Sequence, residues 1–229
     1  RTLAGEMASD AVTALRYGMA CLTEYDEEKV KYIDETEEKT DKYEDIIGTY
    51  LVKLSASQLS DTDSMESAKL LKIIGDLERI SDHAVNLVDS AKEIREKKIV
   101  FSESASAELK NLVAATDEIL ALTEKALVNT DLASAANVEP LEQIIDVLKE
   151  NMRTNHILRL QKGDCTMETG FVWSDILTNL ERTSDHCSNI AGCVIDGEKH
   201  NLNIHESLRE EKFSEFFKQQ FEVYKGKYL

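Results

Sequence analysis

One proline and 9 glycines stand in 229 residues, so little in the chain interrupts long helices. Cysteine is sparse too. Cys21, Cys165, Cys187 and Cys193 form no Cys-X-X-Cys pair and have no histidine at zinc-ligand spacing, which excludes zinc-finger classes and reads as free thiols in a reducing compartment. No run of about 18 apolar residues exists, so nothing spans a bilayer as a helix. The opening Arg1-Thr2-Leu3 lacks an initiator methionine and begins no signal peptide, which suggests a piece cut from a longer chain. No phosphate-cradling glycine loop and no Ser/His/Asp order is visible, which argues against enzyme activity. Positive charge is the scarcer sign: 27 Lys and Arg against 44 Asp and Glu give a net charge of -17. Such a chain repels nucleic acid and anionic lipid and attracts cations.

What the chain does have is helical periodicity. Apolar residues recur every three or four positions, and no alternating stretch competes. The spacing predicts a first helix over Met7 to Glu24 and a second one capped by Asp26 and running to about Leu54. A third is expected from about Met65 to Glu96, after a Ser60–Ser64 turn. Ser102 opens a second set. A fourth helix ends near Asn129, and a fifth is expected to be capped by Asn137 with Pro140 in its first turn, where a missing N–H costs little. Gly163-Asp164 ends it, and a sixth runs from about Glu168 to Gly197. A Phe-rich tail helix is expected near Glu206 to Tyr224, with Phe213, Phe216, Phe217 and Phe221. The fold class is all-α: two tandem three-helix bundles, residues 1–100 and 101–198, with an extra C-terminal helix in 199–229.

The two sets repeat one another. Asp76 to Leu87 and Asn179 to Ile190 share Leu, Glu, Arg, Ser, Asp, His and Asn at an offset of 103. Asp26 matches Asp131, and Glu37-X-X-X-Asp41 matches Glu142-X-X-X-Asp146, at an offset of 105. A fixed period of this size indicates internal duplication. Each of the pairs Glu37/Asp41, Glu78/Asp82, Glu142/Asp146 and Glu181/Asp185 spaces two acids one helical turn apart, on one side of a helix. Two like charges there repel by a few tenths of a kcal/mol. Two such pairs on adjacent helices make a hard-oxygen site suited to magnesium, calcium, manganese or iron. Chance alone supplies about 8 acid pairs at this spacing in so acidic a chain, so the signal lies in their repeat-equivalent positions rather than in any single pair. Arg79 and Arg182 stand beside the acids and are candidates to hold a carboxylate in place.

At these residues the chain resembles the PhoU family, duplicated three-helix bundles with a Glu-Arg-X-X-Asp-X-X-X-Asn signature on the third helix of each half. The match covers about residues 7–197, with Glu78-Arg79-Ile80-Ser81-Asp82 and Asn86 in one half and Glu181-Arg182-Thr183-Ser184-Asp185 and Asn189 in the other. The stretch from Glu37 to Ser60 is similar to the PhoU-like cytoplasmic domain that follows the membrane part of bacterial sodium/phosphate cotransporters. The resemblance implies a non-catalytic modulator of phosphate uptake. It implies divalent or iron-type metal ions at Glu37, Asp41, Glu78, Asp82, Glu142, Asp146, Glu181 and Asp185. It also implies a membrane phosphate transporter domain as partner, in the same full-length chain, and a place at the inner face of the cell membrane. A homodimer is a further expectation; nucleic acid and lipid insertion are not. The alternatives are a standalone PhoU-type phosphate-signalling regulator and a purely structural or dimerising helical bundle. Where the family often has Gly before the motif Asp, Ser81 and Ser184 stand here, adding a Cβ and a hydroxyl.

Other candidates read more plainly. His83 and His186 follow the motif acids but point about 100° round the helix from them, so a solvated or hydrogen-bonded role is expected. His156, His200 and His205 read as incidental, and Trp173 as an anchor of the bundle. The Phe-rich tail reads as packing within the chain, or as a docking surface. A ferritin-like di-iron oxidase requires Glu-X-X-His pairs, and the chain has none.

Overall fold

In the computed structural model the structure describes residues 2–55, 60–199 and 214–229, and every regular element among them is a helix. In chain order these are α1 (Thr2–Cys21), α2 (Glu27–Ser55), α3 (Asp61–Lys97), α4 (Glu103–Asn129), α5 (Leu132–Lys162), α6 (Met167–Lys199) and α7 (Glu215–Tyr228). The all-α expectation is borne out.

Side-chain oxygens set most helix starts, by accepting backbone N–H groups that have no partner in a first turn. Asp26 accepts from the Glu28 and Lys29 amides, and Ser60 and Ser102 cap α3 and α4 in the same way. Asp131 accepts from the amides of Ala133 and Ser134, so α5 begins there and not at Asn137. That moves Pro140 from the expected first turn into the buried interior of α5. Asn137 instead donates its side-chain amide to the Ala133 carbonyl. Gly163 ends α5 at φ +77°, a conformation that costs glycine least. Of the expected tail helix, the stretch through Phe213 lies outside the described residues, as do His200 and His205.

α1, α2 and α3 pack on one another, as do α4, α5 and α6. The halves join side by side, α1 against α4 and α3 against α6. Leu15, Leu77, Ile80 and Leu87 fill the first bundle; Leu112, Ile119, Leu141 and Leu180 fill the second. α1 meets α3 closely at Gly18, where an added Cβ would stand 3.0 Å from the Ala84 carbonyl oxygen. Trp173 is buried against Phe101 and His156, an anchor as expected, and His156 is itself buried. α7 lies on α5 and α4 through Tyr224 and Tyr228, with Lys227 paired to Glu118 at 2.8 Å. No helix among the described residues is long and apolar enough to cross a membrane.

Candidate metal centre

The long helices carry the acid rows to the surface of each bundle, α5 beside α6 and α2 beside α3. In the second half Glu142, Asp146 and Asp185 converge: one oxygen of each lies within 4.8 Å of the others. Glu142 is buried, and its carboxyl is pushed up to about 8, first by burial and then by the charges of Glu139 and Asp146. Asp185 is raised as well, by desolvation and then by Glu181 and Asp146. Glu139 is buried behind them and accepts from the Ser188 hydroxyl. Three carboxylates held this close resist ionising together, which is the electrostatic condition a cation relieves. The donor set is all oxygen and fits magnesium, calcium, manganese or ferrous iron.

Glu181, the fourth expected ligand in this half, does not join the three. Its carboxylate is paired with Lys149 at 2.7 Å, both side chains mostly buried.

The first half is arranged differently. Glu37 on α2 is raised by burial and then by Asp82 and Asp41, which places its carboxylate near the α3 row. Glu78 is pushed up to about 7, by burial and then by Asp82, with Glu44 adding to it. Arg79 bridges the motif acids, 3.4 Å from Glu78 and 3.2 Å from Asp82. The Glu44 carboxylate lies against Gly75, 3.4 Å from where a Cβ would stand.

Between the halves, α3 and α6 exchange hydrogen bonds across the repeat. His83 Nδ1 is 2.9 Å from Asn179 Oδ1, and His186 Nδ1 is 2.8 Å from Asp76 Oδ1. The rings stand 5.5 Å apart. The motif histidines are therefore hydrogen-bonded seam residues, with Asn179 and Asp76 as their partners across the repeat. Ser81 and Ser184 are fully buried, and the Ser184 hydroxyl donates to the Glu181 carbonyl of its own helix, so neither serine adds an oxygen at the surface where the acids stand.

Lys149, Glu44, Glu139 and the Asp76/Asn179 pair went unread in the sequence. Two signals for them existed: the 105 offset aligns Glu44 with Lys149, and the 103 offset aligns Asp76 with Asn179.

Comparison with known proteins identifies the family and the fold. A family model described as the PhoU domain matches residues 4–91 and 109–194. The phosphate-specific transport system accessory protein PhoU homolog 1 of Thermotoga maritima is 31% identical over 140 residues, which are 61% of this chain and 59% of that protein. The crystal structure of PhoU from Pseudomonas aeruginosa superposes with a TM-score of 0.72 at 21% identity, covering 87% of this chain and 92% of that one. The phosphate transport system regulatory protein PhoU from Streptococcus pneumoniae gives 0.65 at 21% identity, with 88% and 90% covered.

These findings overturn the expected partner. The matched proteins are PhoU proteins of about this chain's length, not transporters, so a membrane phosphate transporter domain in the same chain is not supported. The duplicated bundle, the two signatures and a family match across most of both halves lead to one conclusion: this chain belongs to the PhoU family.

Proposed function

We propose that this chain is a non-catalytic, cytoplasmic regulator of phosphate transport, of the accessory-protein kind, whose acid rows bind divalent or iron-type cations. Membership of the PhoU family and the 31% identical accessory protein of a phosphate-specific transport system support the regulatory part. One observation carries the cation part: Glu142 and Asp146 from α5 meet Asp185 from α6, at positions the repeat duplicates in the other half. A bound cation would be held by these three carboxylates and supply a counter-charge. The acids on both helices would then ionise without repulsion, and the α5–α6 face would stiffen. Glu37, Asp41, Glu78 and Asp82 would do the same for α2 and α3, with Arg79 standing in when no cation is bound. Regulation follows from that change of surface charge and rigidity, presented to whatever the bundle contacts.

The experiment is metal analysis of protein purified without chelator, comparing wild type with the Asp146→Asn/Asp185→Asn double variant. Bound metal is expected to fall in the variant. Equal content in two well-folded proteins would remove the cation role from this half.

A further inference from the structure

The motif arginines of the two halves are the same residue in the repeat and have different surroundings. Arg79 is engaged by both of its motif acids. Arg182 is exposed and makes no ion pair among the described residues. Two local facts explain the difference. Lys149 has taken Glu181 at 2.7 Å, and Asp185 is drawn toward Glu142 and Asp146. Arg182 is left beside an open cleft of about 460 Å³ between α5 and α6, whose wall also includes Lys149, Glu181, Asp185, His186 and Asn189.

We propose that this cleft is a binding site for a tetrahedral phosphoryl oxyanion, with Arg182 as its principal contact. Charge supports the assignment. On a chain at -17, the two cations and two carboxylates of this wall balance formally, so the wall itself carries no net charge to repel an anion. The donors support it as well. A guanidinium offers five N–H groups in a fixed fork that matches phosphate oxygens. Lys149 contributes an ammonium that has three hydrogens and pairs with the Glu181 carboxylate, and Asn189 donates one amide hydrogen to Asp76. These donors come from two helices, Lys149 from α5 and Arg182 and Asn189 from α6. Glu181 is a weak obstacle, because Lys149 already neutralises it. The site stands beside the cation reading and does not depend on it. Should a cation draw on Asp185, the wall becomes net positive and the anion binds more tightly, a coupling that must act equally in both directions.

The test is calorimetric titration of inorganic phosphate into the full chain at fixed ionic strength, once with chelator and once with magnesium. Arg182→Gln is compared with Arg79→Gln, two exposed positions where circular dichroism is expected to stay unchanged. Arg182→Gln is expected to weaken phosphate about tenfold or more, as loss of a charged bidentate contact does, and Arg79→Gln to leave it unchanged. A parallel titration with phosphoserine separates sources. Phosphate bound alone assigns the free anion, and phosphoserine bound as well assigns a phosphoryl group carried by a larger molecule. Binding in chelator supports the site even where metal analysis has removed the cation role; binding only with magnesium supports it as a site linked to the cation. No saturable binding in either buffer, an unchanged Arg182→Gln, or equal losses in both arginine variants would overturn it.

Discussion

Seven residues after Glu37 the first half has Glu44, and seven residues after Glu142 the second half has Lys149. Gly75 leaves room for the Glu44 carboxylate against α3, where the second half has Thr178. That exchange of sign accompanies a different arrangement of charges on the neighbouring helix. With Glu44 nearby, the first half gathers acids about Glu78 and uses Arg79 as its counter-charge. With Lys149, the second half ties off Glu181, keeps a tighter set of three carboxylates and releases Arg182. Duplication thus preserved the helices and the signature, while residues facing the signature, Glu44 against Lys149 among them, differ. Two copies of one motif are not two copies of one site.

The largest expected effect concerns the seam. His186→Leu leaves the buried Asp76 carboxylate without its closest partner, and about 3 kcal/mol of stability is expected to go. His83→Leu abandons only the neutral Asn179 amide and is expected to cost about 1 kcal/mol. Urea denaturation of both variants measures the difference, and equal losses would mean that the seam does not distinguish aspartate from asparagine.

Glu142 comes next. Its folded-state value lies near 8, above the value of about 4.5 of the unfolded chain, so the folded state holds the proton longer. Stability from this group is therefore fully present at low pH and declines as pH rises from about 4.5 toward 8. In chelator, Glu142→Gln is expected to be more stable than wild type at pH 8, by an amount on the order of 2 kcal/mol, and to lose that advantage near pH 5. Thermal melts across this range check it; a pH-independent difference would contradict the assignment.

Lys149→Glu would make the second half resemble the first. It removes the partner of Glu181 and adds a repelling carboxylate, for a loss of about 1 to 2 kcal/mol in chelator. Added manganese is expected to restore part of the melting temperature, since the cation substitutes for the lysine. The smallest effect separates the arginines: Arg79→Gln is expected to cost a few tenths of a kcal/mol, and Arg182→Gln nothing measurable.

Most of the fold was readable from spacing and capping chemistry, because six long amphipathic helices leave little choice of packing. The start of α5 was misplaced because Asn137 and Pro140 mimic a helix entrance, although the match of Asp131 to the capping Asp26 marked the true start six residues earlier. The acid rows were legible as a duplicated pattern. Their division into Glu142, Asp146 and Asp185 on one side and Glu181 on the other was not, because it depends on Lys149 reaching across from α5 to α6. The His–Asn and His–Asp exchange at the seam was hidden for the same reason: long-range partners leave no mark in local periodicity.

Anomalous diffraction from crystals grown in manganese probes the acid rows most directly. A peak within coordinating reach of Glu142, Asp146 and Asp185 together is expected, with Glu181 still on Lys149. A fully exchanged crystal with no density among those three carboxylates would contradict a cation role for this half.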